Sequence, residues 1–163
     1  MKKLFYPLVK NPFSSKDIYE GIKVLKSKQL TLSTKTFELE NYFKKKFNSK
    51  FSAMVNSGSS ANLLAFQTLI NPYRKNRLKT NDEVLIPALC WPTSFWPIIQ
   101  SNLKPVFVDC DKNNFNIDIK DLEKKITKKT KCLMLIHVLG HCADMDKIMQ
   151  IVKKYNLILI EDN

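Results

Sequence analysis

Residues 55–66 read VNSGSSANLLAF, a turn of small polar residues that leads into an apolar helical run. Only three of the 163 residues are glycine, and Gly58 stands in this turn, where it permits close backbone approach or a positive φ. A strand followed by a helix from Ser59 would aim unpaired N–H groups and a helix dipole at one point, which suits a phosphate. The hydroxyls of Ser57, Ser59 and Ser60 could donate to the same phosphate. The alternative is an ordinary serine N-cap beside a glycine turn.

The sequence around this turn alternates between short apolar runs and helical ones. We predict strands at 51–55, 83–87, 105–109, 131–137 and 157–162. We predict helices between them at 59–70, 93–102, 118–126 and 144–154. Strands that are apolar throughout and are separated by helices indicate a parallel sheet covered on both faces. The predicted fold class is therefore α/β, with a partial, mostly parallel sheet and helices on both of its faces.

A helical N-terminal arm precedes this body. Residues 15–29 place apolar side chains on one stripe, and residues 36–47 repeat an apolar residue every four positions. We therefore expect two parts, a helical arm at 1–50 and an α/β domain at 51–163. The last predicted strand, LILIED, ends close to the end of the sequence, at the sheet edge where such folds bind ligands. We expect the chain to be a fragment, or the first half of a longer protein.

Composition narrows the class of protein. The hydrophobic content of 44% is ample for a buried core, and no apolar run approaches the ~20 residues of a membrane span. The start, MKKLFYPLVKNP, has too short an apolar stretch for a secretory signal, so a cytoplasmic protein without a membrane partner is expected. The four cysteines form no C-x-x-C pair, and we interpret them as reduced core thiols.

The net charge of +12 raises the alternative of a basic nucleic-acid-binding module. Two features disfavour it. Only two residues are arginine, the side chain best suited to reading guanine edges, and the lysines are scattered over every predicted helix. Lysines spread in this way are typical of solvated helix faces.

Two aromatic residues follow the predicted strand at 83–87, and two carboxylates end the predicted strand at 157–162, at the sheet edge where open α/β sheets bind ligands. Trp91, in PALCWPTSFWP, could form a flat wall for an aromatic ligand, or it could lie in the core. Trp96, one turn further on, suits the core better. Asp162 could stabilise a protonated heterocyclic nitrogen, or with Glu161 it could cap the next element. Strand alternation sends these two carboxylates to opposite faces, so they are not an acid–base pair.

His137 ends the predicted strand at 131–137. Its ring could face the same cleft as Asp162, or it could be a hydrogen-bonded core histidine. His141 and Cys142 lie close by, but their spacing spans a strand end and a turn, and no further ligands are near in sequence. We therefore predict no metal site.

The serine turn, the aromatic plate and the carboxylate, in this order, resemble the DegT-type sugar aminotransferases. These are pyridoxal 5'-phosphate (PLP) enzymes with the aspartate-aminotransferase-like fold. The similarity covers most of the chain: LTLSTKTFELENYFKKKF resembles the family's N-terminal segment, and VNSGSSANLLAF its phosphate motif. NDEVLIPALCWPTSFWPIIQSNLKPVFVDCD is similar to its cofactor-stacking block. HVLGHCADMDKIMQIVKKYNLILIED is similar to the strand that leads to its pyridine-nitrogen carboxylate.

This resemblance implies a cofactor, either PLP or pyridoxamine 5'-phosphate. Its phosphate would be held by Gly58, Ser59 and Ser60, its ring would stack on Trp91, and its ring nitrogen would pair with Asp162. Residues 51–163 would be the first part of the cofactor-binding domain, with His137 as a further candidate at the site. The lysine that forms the Schiff base in the aminotransferases, or a histidine that replaces it, is expected beyond Asn163. No catalytic residue is therefore expected within the chain, which should be inactive alone.

The implied function is the N-terminal part of an aminotransferase-family enzyme that acts on nucleotide-linked keto-sugars in polysaccharide or modified-sugar biosynthesis. An amino donor such as glutamate and a homodimer with composite active sites are implied as well. The alternative inside the family is a pyridoxamine-phosphate-dependent 3-dehydrase of a nucleotide-linked 4-keto-6-deoxy sugar, a subgroup to which GSSAN and IEDN are similar. Outside the family, a different phosphate-binding α/β protein would stack a base on Trp91. One departure is LSTK at 32–35, where the family usually has glycine.

Overall fold

The structure, a computed structural model, describes residues 9–163, which divide into two compact units after Met54. The first eight residues of the predicted arm lie outside this range, and so does most of the stretch on which the secretory-signal argument rests. None of the helices in the described range combines the length and the apolar character needed to cross a bilayer.

The first unit contains the two helices predicted for the arm, α1 (Ser15–Ser27) and α2 (Thr34–Lys46). A capping box begins α1, because the Ser14 hydroxyl accepts from the N–H of Asp17 and the Asp17 carboxylate accepts from the N–H of Ser14. Between the helices, Leu32 adopts a left-handed backbone conformation with φ of 45°. This conformation costs a residue with a Cβ about 1 to 2 kcal/mol. The LSTK segment therefore has a backbone shape that glycine would adopt with less strain.

The second unit is built on one parallel sheet of four strands in the order β2-β1-β3-β4. Its elements in chain order are α3 (Gly58–Ile70), β1 (Glu83–Pro87), α4 (Pro92–Gln100), β2 (Lys104–Val108), α5 (Ile119–Lys125), β3 (Thr130–Ile136), α6 (Met145–Lys154) and β4 (Ile158–Asp162). Each was predicted to within two residues at both ends. The predicted α/β class and the parallel sheet are confirmed.

The strand predicted at 51–55 is wrong, since these residues form neither strand nor helix. A strand is held by hydrogen bonds to a neighbour, and none of the strands in residues 9–163 pairs with this run. Phe51 and Met54 are exposed. An apolar run without a neighbour to complete its ladder does not become a strand, so the sheet has four strands where five were predicted.

Helices cover both faces of the sheet, as predicted, because side chains alternate along each strand. On one face, the strand residues Val84, Ile86, Cys132 and Met134 form a core cluster with Phe66 of α3 and Ile98 of α4. On the other face, Leu85, Leu133 and Leu135 form a cluster with Leu122 of α5 and with Ile148 and Ile151 of α6. Of the four cysteines, all free, only Cys132 is fully buried, and burial raises its pKa to about 12. The core-thiol prediction is wrong for Cys142, which is exposed because it lies in the loop before α6.

The order of the strands creates a switch point between β1 and β3. From β1 the chain passes through α4, on one face, to β2; from β3 it passes through α6, on the other face, to β4. The two connections therefore leave the carboxyl ends of the central strands β1 and β3 in opposite directions. Open α/β sheets bind ligands at such a point. Trp91 and His137 lie in these two loops, and Asp162 ends the neighbouring strand β4.

The amino end of the sheet is held by Glu83, the first residue of β1, which is only 5% exposed. Its carboxylate accepts hydrogen bonds from Thr127 Oγ1 at 2.5 Å, from Lys104 Nζ at 3.1 Å and, more weakly, from Thr130 Oγ1 at 3.4 Å. The hydrogen bond from Thr127, helped by the Lys104 ammonium, holds the pKa of Glu83 below its ordinary value. These donors lie in β2, in β3 and in the turn before β3. One carboxylate therefore holds together the first residues of β1, β2 and β3.

We expect Glu83→Gln to lower the free energy of unfolding by about 1 to 3 kcal/mol at neutral pH, because three donors lose the charged acceptor that the buried Glu83 provides. A depressed pKa in the folded state contributes stability above the ordinary pKa, and this stability is lost as pH falls through the folded value. The difference in the free energy of unfolding between the variant and the wild type should therefore become smaller below about pH 4.5, the ordinary pKa of a glutamate. Urea unfolding at several pH values measures this difference. Glu123→Gln, which removes an exposed partner of Lys154, is the control and should change little.

Candidate functional site

The serine turn forms the amino end of α3, with Ser57 as its N-cap. The Ser57 hydroxyl accepts from the N–H of Ser60 and donates to Ser60 Oγ, both at 3.1 Å. Within residues 9–163, nothing accepts from the N–H groups of Gly58 and Ser59. The N-cap and the phosphate site are therefore compatible interpretations. The cap uses one backbone donor, and two donors at the positive end of a 13-residue helix remain available.

Gly58 is the first residue of α3, one position earlier than predicted. Positive φ is not the reason for this glycine, since the only glycine with a positive φ in the described range is Gly140. A Cβ added at Gly58 would meet no atom within 4 Å apart from its chain neighbours and the backbone of its own helix. Neither backbone strain nor packing against the described residues requires glycine here. Without a side chain, Gly58 leaves the approach to the two N–H groups open.

Trp91 is the N-cap residue of α4 and is 73% exposed, so it is not a core tryptophan. The core prediction for Trp96 is wrong, because 53% of this residue is exposed. The inward positions of α4 are taken by Ser94, Pro97 and Ile98. Phe95 is half-buried, and its ring centroid lies 5.4 Å from that of the exposed Phe107 and 5.6 Å from that of Trp96. Of the two tryptophans, Trp91 is the one that ends a loop at the switch point.

A surface cavity of about 300 Å³ separates the first turns of α3 and α4. Its lining consists of Ser59, Ser60, Leu63, Thr93, Trp96, Pro97 and Gln100. Neither Trp91 nor Asp162 belongs to this lining. The cavity therefore does not bring the three predicted groups together, and their connection comes from hydrogen bonds instead.

Asp162 provides this connection. Its Oδ2 atom accepts a hydrogen bond from Asn62 Nδ2 at 2.9 Å and another from Ser94 Oγ at 2.6 Å. Asn62 is one turn beyond Gly58 in α3, and Ser94 lies in the first turn of α4, three residues after Trp91. The helices that carry the phosphate candidates and the indole are thus both bound to one carboxylate oxygen at the tip of β4.

Asn62 and Ser94 are not among the residues predicted for the site, although each carries a signal in the sequence. Both are polar residues within apolar helical runs, ANLLAF and SFWPII, and they are 7% and 2% exposed. A buried polar side chain is almost always hydrogen-bonded. A search for partners of such residues would have identified them, but their partner is 100 and 68 residues away in sequence.

His137 lies on the other face of the sheet. Its Nε2 atom is 3.2 Å from Glu161 Oε2, and its Nδ1 atom accepts from the N–H of Ala143 at 3.1 Å. Since Nδ1 accepts, the neutral ring carries its proton on Nε2 and donates it to Glu161. Only the backbone N–H of His137 reaches Asp162, at the carbonyl oxygen. The expectation that the ring shares a cleft with the Asp162 carboxylate is wrong, because β4 alternates and Glu161 faces the side of α6.

His141 and Cys142 are both exposed in the loop that follows. In the part of the chain that the structure describes, no group of three or more His, Cys, Asp or Glu residues could hold a metal ion. The chemistry that the described site offers is therefore anion binding by backbone and hydroxyl donors, an exposed indole and a fixed carboxylate.

Comparison with protein families gives a match over residues 14–163 to the model described as the DegT/DnrJ/EryC1/StrS aminotransferase family. The chain is 39% identical over 159 residues to GDP-4-keto-6-deoxy-D-mannose 3-dehydratase of Escherichia coli O55:H7, covering 97% of this chain and 40% of that protein. It is 38% identical over 120 residues to dTDP-3-amino-3,6-dideoxy-alpha-D-galactopyranose transaminase of Aneurinibacillus thermoaerophilus. This match covers 74% of this chain and 32% of that protein.

Solved structures give a similar result. The E. coli GDP-4-keto-6-deoxy-D-mannose-3-dehydratase with bound hydrated PLP matches with a TM-score of 0.90 and 38% identity, over 97% of this chain and 40% of that one. The chain thus spans about 40% of the length of these dehydratases.

The roles of the serines in the turn predict a difference in stability. Ser57→Ala should lower the free energy of unfolding by about 1 kcal/mol, because it removes an N-cap acceptor. Ser59→Ala is the matched control, since Ser59 makes no capping bond, and it should change stability by less than about 0.5 kcal/mol. Urea unfolding monitored by circular dichroism measures both. Equal effects of the two substitutions would contradict the assignment of Ser57 as the cap.

Proposed function

Since this chain belongs to the DegT/DnrJ/EryC1/StrS aminotransferase family, we propose that it is the amino-terminal part of a PLP-dependent enzyme acting on nucleotide-linked keto-sugars. The observation that carries the proposal is the pair of hydrogen bonds from α3 and α4 to Asp162 Oδ2. They join the elements bearing the phosphate donors, the aromatic plate and the carboxylate. Family membership favours this enzyme over a nucleic-acid-binding module.

The described residues fit the cofactor in three respects. The N–H groups of Gly58 and Ser59, with the hydroxyls of Ser59 and Ser60, suit a phosphate. The exposed indole of Trp91 suits one face of a flat ring. No hydrogen bond from residues 9–163 reaches Oδ1 of Asp162, so this oxygen is available to a ring N–H.

Each residue has a defined task in this proposal. Gly58, Ser59 and Ser60 bind the phosphate and anchor it against the sheet, and Trp91 covers one face of the ring and excludes water from it. Asp162 Oδ1 accepts a hydrogen bond from the ring N–H and so keeps the proton on the nitrogen. When bound, PLP supplies an electron sink that takes up the charge left as a substrate C–H bond breaks. We place the catalytic lysine, or the histidine in its position, outside residues 1–163, in agreement with the partial coverage of the relatives.

Two reactions fit this site. One is transamination with an amino donor such as glutamate, and the other is 3-dehydration of a nucleotide-linked 4-keto-6-deoxy sugar with pyridoxamine phosphate. The second has specific support, because the relative matched over 97% of this chain is named a 3-dehydratase. Mass spectrometry of the product made by the intact protein distinguishes them, since dehydration removes oxygen from the sugar and transamination adds nitrogen.

We also infer a homodimer and a cytoplasmic site of action. Four free thiols and no disulfide in the described range suit a reducing compartment. The homodimer rests on the resemblance to the family, and analytical ultracentrifugation of the intact protein tests it. The second unit, from residue 55 onward, would form the first part of the cofactor-binding domain.

We expect Asp162→Ala to weaken PLP binding by the intact protein about tenfold or more, because the ring N–H loses a charged acceptor. Trp91→Ala should weaken it about five- to tenfold through lost stacking. Absorbance titration of the apoprotein with PLP measures both effects. The matched controls are Glu161→Gln, a neighbouring carboxylate on the other face, and Tyr73→Ala, an exposed aromatic after α3. Unaltered affinity in both site variants would refute the proposed site.

A further inference from the structure

We propose that Asn62 and Ser94 are positioning residues, which fix one oxygen of Asp162 so that the other is presented to the ring nitrogen of the cofactor. This inference rests on the proposed function. It assigns a role to two residues whose only described side-chain hydrogen bonds go to that carboxylate.

The geometry determines the orientation of the carboxylate. Both donors bind the same atom, Oδ2, at 2.9 and 2.6 Å, and they approach from two different helices. Because a carboxylate is planar, fixing Oδ2 from two directions also fixes where Oδ1 lies. Asn62 and Ser94 are buried, so water does not compete for these bonds. Oδ1 is left without a protein partner in the described range.

The positions of the donors couple the carboxylate to the other two contacts. Asn62 follows Gly58 by one turn of a continuous helix, so the hydrogen bond from Asn62 fixes the position of Asp162 relative to the phosphate donors. Ser94 donates its backbone N–H to the carbonyl oxygen of Trp91 at 3.0 Å. The hydrogen bond from Ser94 therefore fixes the position of Asp162 relative to Trp91. Binding sites depend on supporting groups that hold their contacts within about 0.5 Å. Here the residues that hold Asp162 lie in α3 and α4, the helices that also bear the phosphate donors and Trp91.

A purely structural role would produce the same hydrogen bonds, because a buried amide and a buried hydroxyl need an acceptor. The two roles differ in what they predict for the cofactor. Support for packing alone affects folding, and leaves the affinity for PLP and the protonation of its ring unchanged. If Asn62 and Ser94 act through Asp162, their substitution changes both the affinity and the ring protonation. These effects should disappear once the Asp162 carboxylate is removed.

The test uses the intact protein, with PLP labelled with ¹⁵N at the ring nitrogen as the probe. We expect Asn62→Leu and Ser94→Ala each to weaken PLP binding about three- to tenfold, since each removes one hydrogen bond. The ¹⁵N shift of the ring should move toward the unprotonated value. Ser94→Thr keeps the hydroxyl and should restore both readouts. In an Asp162→Ala background, neither substitution should weaken binding further.

Ser101→Ala is the matched control. Ser101 is a buried serine at the other end of α4, and it accepts from Gln67 Nε2 at 3.4 Å. It should leave the affinity and the ring shift unchanged. Thermal unfolding by circular dichroism reports whether each variant folds. If Asn62→Leu does not fold, the comparison of Ser94→Ala with Ser94→Thr carries the test.

Wild-type affinity and ring shift in Ser94→Ala would overturn the inference, and so would effects that persist in full without the Asp162 carboxylate. In both cases the proposed function stands, because the unaltered protein binds PLP. If the unaltered protein does not bind PLP, the proposed function fails, and this inference fails with it.

Discussion

The carboxyl end of the sheet depends on a single oxygen atom, Oδ2 of Asp162. The amide of Asn62 and the hydroxyl of Ser94 are buried beneath α3 and α4 and need an acceptor there. A buried donor without a partner costs about 1 to 3 kcal/mol, so the carboxylate stabilises the packing of both helices beyond what their apolar contacts supply. The tip of β4 and the amino ends of two helices are therefore held together by polar contacts that the apolar core cannot supply.

The amino end of the sheet is organised in a similar way around Glu83. Between these two carboxylates the strands are almost wholly apolar, and their neighbours are apolar on both faces. The polar groups at the two ends connect elements that the apolar core only covers. Glu83 binds the first residues of β2 and β3, and Asp162 binds α3 and α4.

Much of the fold could be predicted from the sequence, because buried parallel strands and amphipathic helices leave strong apolar patterns. The failures occurred where an outcome depends on a distant neighbour. Residues 51–55 are as apolar as a strand, but composition does not reveal whether a partner is present. The error for Trp96 depended on which side of α4 faces the sheet, and that side is formed by Pro97 and Ile98. The ring of His137 contacts Glu161 on the face covered by α6.

The candidate site was predicted unevenly for a related reason. A serine turn, a tryptophan between prolines and a carboxylate at the end of an apolar strand are local patterns, so the sequence offered Gly58, Trp91 and Asp162 as candidates. Asn62 and Ser94 belong to no local pattern of this kind, since their importance comes from one bond made across 100 residues and another across 68. Local motifs identify the groups that could touch a ligand. The groups that orient them become visible only when the strands and helices are assembled.

The turn at 57–60 shows how a capping residue and a ligand site can share one helix end. An N-cap hydroxyl satisfies a single N–H, and Ser57 satisfies that of Ser60. The remaining donors, Gly58 and Ser59, precede it and point out of the helix end. A side chain at position 58 would gain no packing contact within the described residues and would narrow the approach to these donors. The glycine therefore leaves these two donors open to solvent, while the cap stabilises the start of the helix through Ser60 alone.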